Sequence, residues 1–204
     1  GHLQAILSAL NGTGVVCGLD RDGESIAFLR DTVKARGTRL VLSQTRFSEF
    51  DTVLSSNAVE KLDGALLDLG VSSYQIDTVE RGFTFQAEAP LDMRMNPGTG
   101  KSAAQVLGEM DRSDMEAVLR TFGEVRNAGR MAAVIHDAVH EGGVQTTGQL
   151  RECLEREYGA LRPKVLAQVF QALRIAVNDE LGELRRFLDK IGPWMALGGR
   201  VAVM

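Results

Sequence analysis

Cysteine is scarce in this sequence, with two in 204 residues, and Cys17 and Cys153 lack the Cys-x-x-Cys spacing of a metal knuckle or redox pair. That argues against a disulfide framework or a structural zinc, and both thiols are expected to be reduced. No apolar run approaches the roughly 20 residues that a bilayer-crossing helix requires. No basic start, apolar centre and small-residue cleavage site opens the chain either. The expected setting is cytoplasmic, with no membrane partner. An excess of positive charge is also missing: 23 Lys and Arg stand against 27 Asp and Glu, a formal charge of -4. Composition therefore gives no indication of nonspecific phosphate binding. Internal repeats and low-complexity tracts are absent, which sets aside solenoid architectures.

What is present is a chain 44% hydrophobic, enough for one domain or one domain with an insertion. The first hundred residues alternate short apolar runs with helix-period segments, the pattern of βαβ units. Helices are predicted over Leu3–Leu10, Glu24–Ala35 and Ser48–Val59, and strands over Val15–Leu19, Arg39–Leu42 and Asp63–Leu69. The continuous apolar centre of the last strand predicts burial on both faces. Gly70–Gly100 is long, polar and rich in turn residues, as functional loops often are. Periodicity is purely helical from Ser102 to Tyr158, with a capping box expected at Ser113–Glu116. A long helix from Pro163, carrying Phe170, Leu173, Val177, Leu181 and Leu184 on one face, leads through Gly198-Gly199 into a strand at Arg200–Met204.

The simplest architecture is a doubly wound parallel α/β domain made of residues 1–101 and 163–204, with an inserted helical subdomain at 102–162. The chain starts at Gly1-His2 and stops within an apolar run, so a longer native protein is expected.

Ligands of open parallel sheets sit beyond the carboxyl ends of the strands, which directs attention to Asp20 and Asp68. A carboxylate after a strand can accept both hydroxyls of an adenosine ribose; equally, Asp20 and Asp22 can simply cap the next helix. Asp68 is followed by Leu69-Gly70-Val71-Ser72-Ser73, placing a carboxylate, a flexible glycine and two hydroxyls at one sheet edge. His136 and His140 lie one helical turn apart, as in a zinc-protease motif, but Asp137 is shorter than that motif's glutamate and no third ligand follows at a recognised spacing. They read as solvated helix histidines, with no metal. The arginines from Arg112 to Arg186 alternate with acids and read as a solvated face. Met93 and Met95 read as packing.

Four longer stretches carry a resemblance: Leu66-Leu67-Asp68-Leu69-Gly70-Val71-Ser72-Ser73, Glu80-Arg81-Gly82-Phe83, Pro90-Leu91-Asp92-Met93-Arg94-Met95 and Phe170-Gln171-Ala172-Leu173-Arg174-Ile175-Ala176-Val177-Asn178. In this order they resemble the RsmH (MraW) family of ribosomal RNA cytosine-N4 methyltransferases along essentially the whole chain. Gly123–Ala128 departs from the family's usual Gly-Glu-Glu-Arg-Phe-Ala, and Tyr74 stands where proline is common. The resemblance implies a class I methyltransferase (Rossmann-like) fold, S-adenosyl-L-methionine as donor with S-adenosyl-L-homocysteine as product, and a decoding-region cytidine of 16S rRNA, within the small ribosomal subunit, as target.

By the same matching, Gly1 and His2 correspond to the end of a glycine-rich loop, Asp20 to the ribose-binding acid and Phe47 to an adenine contact, with Asp68 and Gln75 completing the cofactor set. In this reading Asp68 accepts the N–H of the target amine, Ser72 and Ser73 line the base pocket, and Arg94, Arg174 and Asn178 hold a nucleotide flipped out of its stack. The expected oligomeric state is monomer or homodimer. Two alternatives accompany this reading: a noncatalytic ribosome-assembly factor on the same fold, and a nucleotide-dependent dehydrogenase.

Overall fold

A computed structural model describes residues 1–35 and 37–204. Alternating apolar runs and helix-period segments give a mixed α/β protein whose strands pair in parallel. In chain order the elements are α1 (His2–Leu10), β1 (Val15–Asp20), α2 (Gly23–Thr32), β2 (Arg39–Gln44), α3 (Phe50–Ser56), β3 (Leu62–Leu67) and α4 (Ser73–Asp77). They continue with α5 (Ala103–Glu109), α6 (Arg112–Gly123), α7 (Ala128–His140), α8 (Thr147–Tyr158), α9 (Pro163–Asn178), α10 (Glu180–Ile191) and β4 (Met195–Val203). The chain divides into two compact units, one of Gly1–Leu69 with Leu181–Met204, the other of Gly70–Glu180. The second is wider at both ends than the helical segment 102–162 read from periodicity.

In the first unit, β1 pairs with β2 from Val15↔Arg39 to Asp20↔Gln44, and β3 pairs with β4 up to Leu67↔Val203. Backbone hydrogen bonds thus join the strands as two parallel pairs. Phe50 and Leu54 of α3, Leu67 of β3, and Phe187 and Ile191 of α10 form the buried core, with Cys17, Leu19 and Trp194 packed against it. The Phe187 ring lies 5.0 Å from that of Phe50 and 6.0 Å from that of Phe47. Burying such ring area is the main stabilising contribution available to so small a core.

Three expectations for this unit change. Burial of β3 is one-sided, since Leu67 is buried while Leu66 is 37% exposed. The last strand begins at Met195, and Gly198-Gly199 is an irregularity inside it: the register jumps from Leu62↔Met195 to Gly64↔Arg200. Gly199 lies so close to the partner strand that a Cβ there would come within 2.9 Å of the Leu62 carbonyl. Finally, the long helix from Pro163 is two helices. Asp179, at φ 50°, takes the left-handed conformation that Asp tolerates better than most residues, and it ends α9. Leu181, expected on the apolar face, is half exposed.

The second unit is built on helices α5 to α9. Met115 and Leu119 of α6, Met131 and Ile135 of α7, Leu150 and Leu154 of α8, and Val169, Phe170 and Leu173 of α9 recur at helical spacing and fill one core. Gly123 lets α6 and α9 approach closely, for a Cβ there would meet the Gln168 carbonyl at 2.5 Å. The capping box expected at Ser113 is not formed. Helix α6 starts two residues earlier than expected, and Asp111 caps it by accepting the Asp114 N–H at 2.8 Å; Ser113 instead donates to Asp111. Segment 70–102 is tied down: Leu91, Met93 and Met95 are buried, as read for the two methionines. Asp92 O accepts Ala103 N at 2.7 Å and Leu91 O accepts Ala104 N at 2.9 Å.

Candidate functional site

In the first unit, parallel pairing of β1 and β2 sets Asp20 beside the chain that leaves β2, and the Asp20 carbonyl accepts Thr45 N at 3.0 Å. The two acids after β1 have separate tasks. Fully buried Asp22 caps α2 by accepting Glu24 N. The Asp20 carboxylate accepts Asp22 N at 2.8 Å and is not the cap. Burial holds the Asp20 carboxyl above its ordinary range, against the lowering effect of the Asp22 N–H and the Ser25 hydroxyl. A desolvated carboxylate at a strand end is what a diol-binding acid needs, and it is costly in a residue that only shapes a turn.

Phe47 follows on the same edge. Its neighbours on both sides are anchored by one side chain: Glu183 of α10, 2% exposed, accepts from the Arg46 guanidinium at 2.9 Å and from the Ser48 hydroxyl. Arg186 adds a third bond at 2.8 Å. Burial alone would raise the Glu183 carboxyl, but Ser48, Arg186 and Arg46 together hold it below its ordinary value. At the end of β3, Asp68 meets His2 at 3.1 Å, both well exposed. Gly1, as N-cap of α1, makes no side-chain cap bond. His2 and Asp68, 66 residues apart in sequence, are thus brought together. Among the described residues of the first unit, Gly1, His2, Asp20, Phe47 and Asp68 are the expected donor contacts.

Gln75 belongs to the second unit, with Ser72 and Ser73. Ser72 caps α4 by accepting Gln75 N at 3.2 Å, while the Gln75 side-chain Oε1 accepts Ser72 N at 2.9 Å. Ser73 opens the helix, exposed. The residues expected to hold a nucleotide are gathered by hydrogen bonds to the protein itself. Arg94 grips Asp92 through two nitrogens, at 2.8 and 2.7 Å, and Arg174 grips Glu180 at 2.7 and 3.0 Å. The buried Asn178 amide donates to Met93 O at 2.7 Å and Arg174 O at 2.9 Å, and accepts Met95 N at 2.9 Å. Asn178 therefore shapes segment 93–95, and any part it takes in recognition passes through that backbone.

The remaining candidates are accounted for locally. His136 and His140 stack at 4.0 Å, and His140 Nδ1 is 2.9 Å from the His136 carbonyl. No group of three His, Cys, Asp or Glu is gathered as a metal ion requires among the described residues. Both cysteines are free, and burial pushes the Cys153 thiol up to about 11. An inert thiol follows.

Sequence reading missed Glu183. Its signal was a carboxylate four residues before Phe187 and eight before Ile191, on the buried stripe of α10. Glu183→Gln is expected to cost about 1–2 kcal/mol, the low end for bonds to a charged group because both guanidinium partners are half exposed. The folded carboxyl lies below its ordinary 4.5, so the unfolded state binds more protons in that window. The stabilisation is complete above about that pH and lost as the pH falls through the folded value. Urea titrations across acidic pH should show this slope in the parent and not in the variant; parallel curves would contradict it.

A sequence model of the MraW methylase family matches residues 1–204. Over 210 aligned residues the chain is 45% identical to a ribosomal RNA small subunit methyltransferase H of Desulfovibrio desulfuricans, covering 100% of this chain and 64% of the relative. A protein with the same name from Nitratidesulfovibrio vulgaris strain DP4 is 42% identical over 209 residues, covering 100% and 65%. Another from Halorhodospira halophila is 42% identical over 208 residues, covering 100% and 64%. The chain spans just under two thirds of the length of these curated relatives.

Proposed function

Because the chain belongs to the MraW methylase family, we propose that it binds S-adenosylmethionine and directs methyl transfer to the N4 amine of a decoding-region cytidine of 16S rRNA. The observation that carries this reading is the desolvated Asp20 carboxylate at the end of β1, with Phe47 on the same edge. Carboxylate and ring together suit the ribose and adenine of a nucleoside-bearing donor. We further propose the doubly wound class I arrangement as the framework, a helical insertion at 102–162, and action on the small subunit in the cytoplasm. The relatives' names support the rRNA target.

The donor would supply a methyl group already activated on a sulfonium sulfur. What the chain must supply is alignment and exclusion of water. Asp20 would accept the ribose hydroxyls, Phe47 would pack against the adenine, and Gly1 and His2, at the start of α1, would approach the rest of the donor. Cytosine N4 is a weak nucleophile because its lone pair is delocalised into the ring. The Asp68 carboxylate, oriented by His2, accepts an N–H of that amine and raises its electron density. Gln75, Ser72 and Ser73 belong to the loop that follows, and Arg94, Arg174 and Asn178 form the scaffold of the nucleotide contacts.

The test is transfer of labelled methyl to small ribosomal subunits lacking the modification, followed by nucleoside mass spectrometry. N4-methylcytidine is the expected product, and donor binding without any methylated nucleoside would favour the assembly-factor reading. Asp68→Asn is expected to lower turnover at saturating donor about 10²-fold or more; full turnover under those conditions would remove Asp68 as acceptor.

A further inference from the structure

Five of the ten arginines between residues 112 and 186 form ion pairs, as their sequence context suggests. Arg120 pairs with Glu116, Arg130 with Glu157, Arg151 with Glu155, Arg174 with Glu180 and Arg186 with Glu183. Among the basic side chains outside these pairs, three of the second unit share one cavity. Arg126, Arg162 and Lys164 make no ion pair or side-chain hydrogen bond among the described residues, and all three line one cavity of about 420 Å³. Arg126 comes from the turn between α6 and α7, while Arg162 and Lys164 flank Pro163 at the start of α9. Val125, Met131 and Val165 contribute apolar lining, and Asn127 and Gln168 contribute amides.

Glu124 is the one carboxylate on the lining. Three cations against one anion leave a local charge of about +2 at neutral pH, on a chain whose formal charge is -4. Three exposed cations lining one concave surface raise the local potential there and attract an anionic ligand. The start of α9 adds a positive helix end, and Pro163 at its first position brings no N–H of its own to satisfy.

We infer that this cavity is a phosphodiester-binding site, contacting the RNA backbone through Arg126, Arg162 and Lys164. This rests on the RNA-modifying reading above and adds a contact in the second unit that the proposed donor residues do not include. The cations take non-bridging phosphate oxygens, and Val125, Met131 and Val165 provide an apolar floor for the ribose. Such contacts fix register without reading sequence.

The experiment compares the parent with R126A/R162A/K164A for binding of a labelled single-stranded RNA of the small-subunit decoding region, over a salt series, with donor binding followed in the same samples. Loss of three phosphate contacts should lower RNA affinity at least about tenfold near 100 mM salt, and reduce the slope of log affinity against log salt by about 2, with donor affinity unchanged. Unchanged RNA affinity and slope would overturn the site. A parent protein that binds neither donor nor RNA would instead overturn the methyltransferase reading.

A second measurement needs no variant. In the parent, RNA should protect Lys164 from amine acetylation, read by mass spectrometry, while Lys34 and Lys101 stay reactive. Equal reactivity of Lys164 with and without RNA would refute the proposal, as would equal protection by sodium phosphate at matched ionic strength, which would mark a small-anion site.

Discussion

An Asp20→Asn protein is expected to lose at least about tenfold in affinity for S-adenosylmethionine while folding as stably as its parent, or more so, at neutral pH. The two effects separate because asparagine keeps one acceptor oxygen for Asp22 N, the bond formed at 2.8 Å, so the turn into α2 and its Asp22 cap survive. What disappears is the charge that would strengthen bonds from the ribose hydroxyls. Bonds to a charged acceptor contribute about 1.5–3 kcal/mol each, and about 1.4 kcal/mol is tenfold in affinity.

Stability moves the other way. Burial raises the folded carboxyl of Asp20 above its ordinary 3.8, so the native state binds more protons than the unfolded chain in the window between the two values. Stability then falls as the pH rises through that window, and the penalty is complete above the folded pKa. Asparagine removes that penalty at neutral pH, and the advantage of the variant should shrink as the pH is lowered and the parent's carboxyl takes up its proton. Calorimetric titration with the donor and urea unfolding at neutral and acidic pH would read both. Unchanged donor affinity would remove Asp20 from the site; a variant less stable at neutral pH would mean the carboxylate serves the turn.

That division between Asp20 and Asp22 marks where sequence reading ends. The strand was legible, because Val15-Val16-Cys17-Gly18-Leu19 is a short unbroken apolar run bounded by turn residues. Which of two acids two residues apart becomes the cap depends on backbone angles that composition does not contain. The same limit explains Ser113, where Asp111 stood two residues nearer the true helix start. Glu183 was hidden for a different reason. A helix continuing unbroken from Pro163 puts Leu181 and Leu184 on its apolar face. The left-handed Asp179 resets the helical phase, so the buried stripe of α10 becomes Glu183, Phe187 and Ile191. One residue outside the right-handed region thus moved a carboxylate from the predicted solvent side into the core, where it holds both neighbours of Phe47. The arginines show the converse: alternation with acids describes the five pairs, while the cavity shared by Arg126, Arg162 and Lys164 is visible only in the structure.

Gly82→Ala is expected to be the most disruptive small substitution in the second unit, costing about 3 kcal/mol or more. Two costs add. Gly82 has φ 71° and ψ 18°, a left-handed conformation that costs a residue with a Cβ about 1–2 kcal/mol. A Cβ there would also lie 2.3 Å from the Pro90 carbonyl oxygen and 2.8 Å from Asp92 N. Those are backbone atoms, and they cannot swing aside as a side chain can. The Pro90 oxygen accepts Asp92 N, Arg81 O accepts Met93 N, and the buried Arg81 guanidinium donates to Arg94 O and Met95 O. Relieving the clash therefore pulls on the segment that seats Leu91 and Met93 in the core and presents Arg94. Gly100→Ala is the control, for Gly100 has φ 76° and open space where a Cβ would go. It should carry the conformational cost alone, about 1–2 kcal/mol. Urea unfolding of the two variants side by side separates strain from collision. A Gly82→Ala midpoint no lower than that of Gly100→Ala would mean that segment 82–92 yields easily, and that the family resemblance at Glu80-Arg81-Gly82-Phe83 does not reflect a rigid turn.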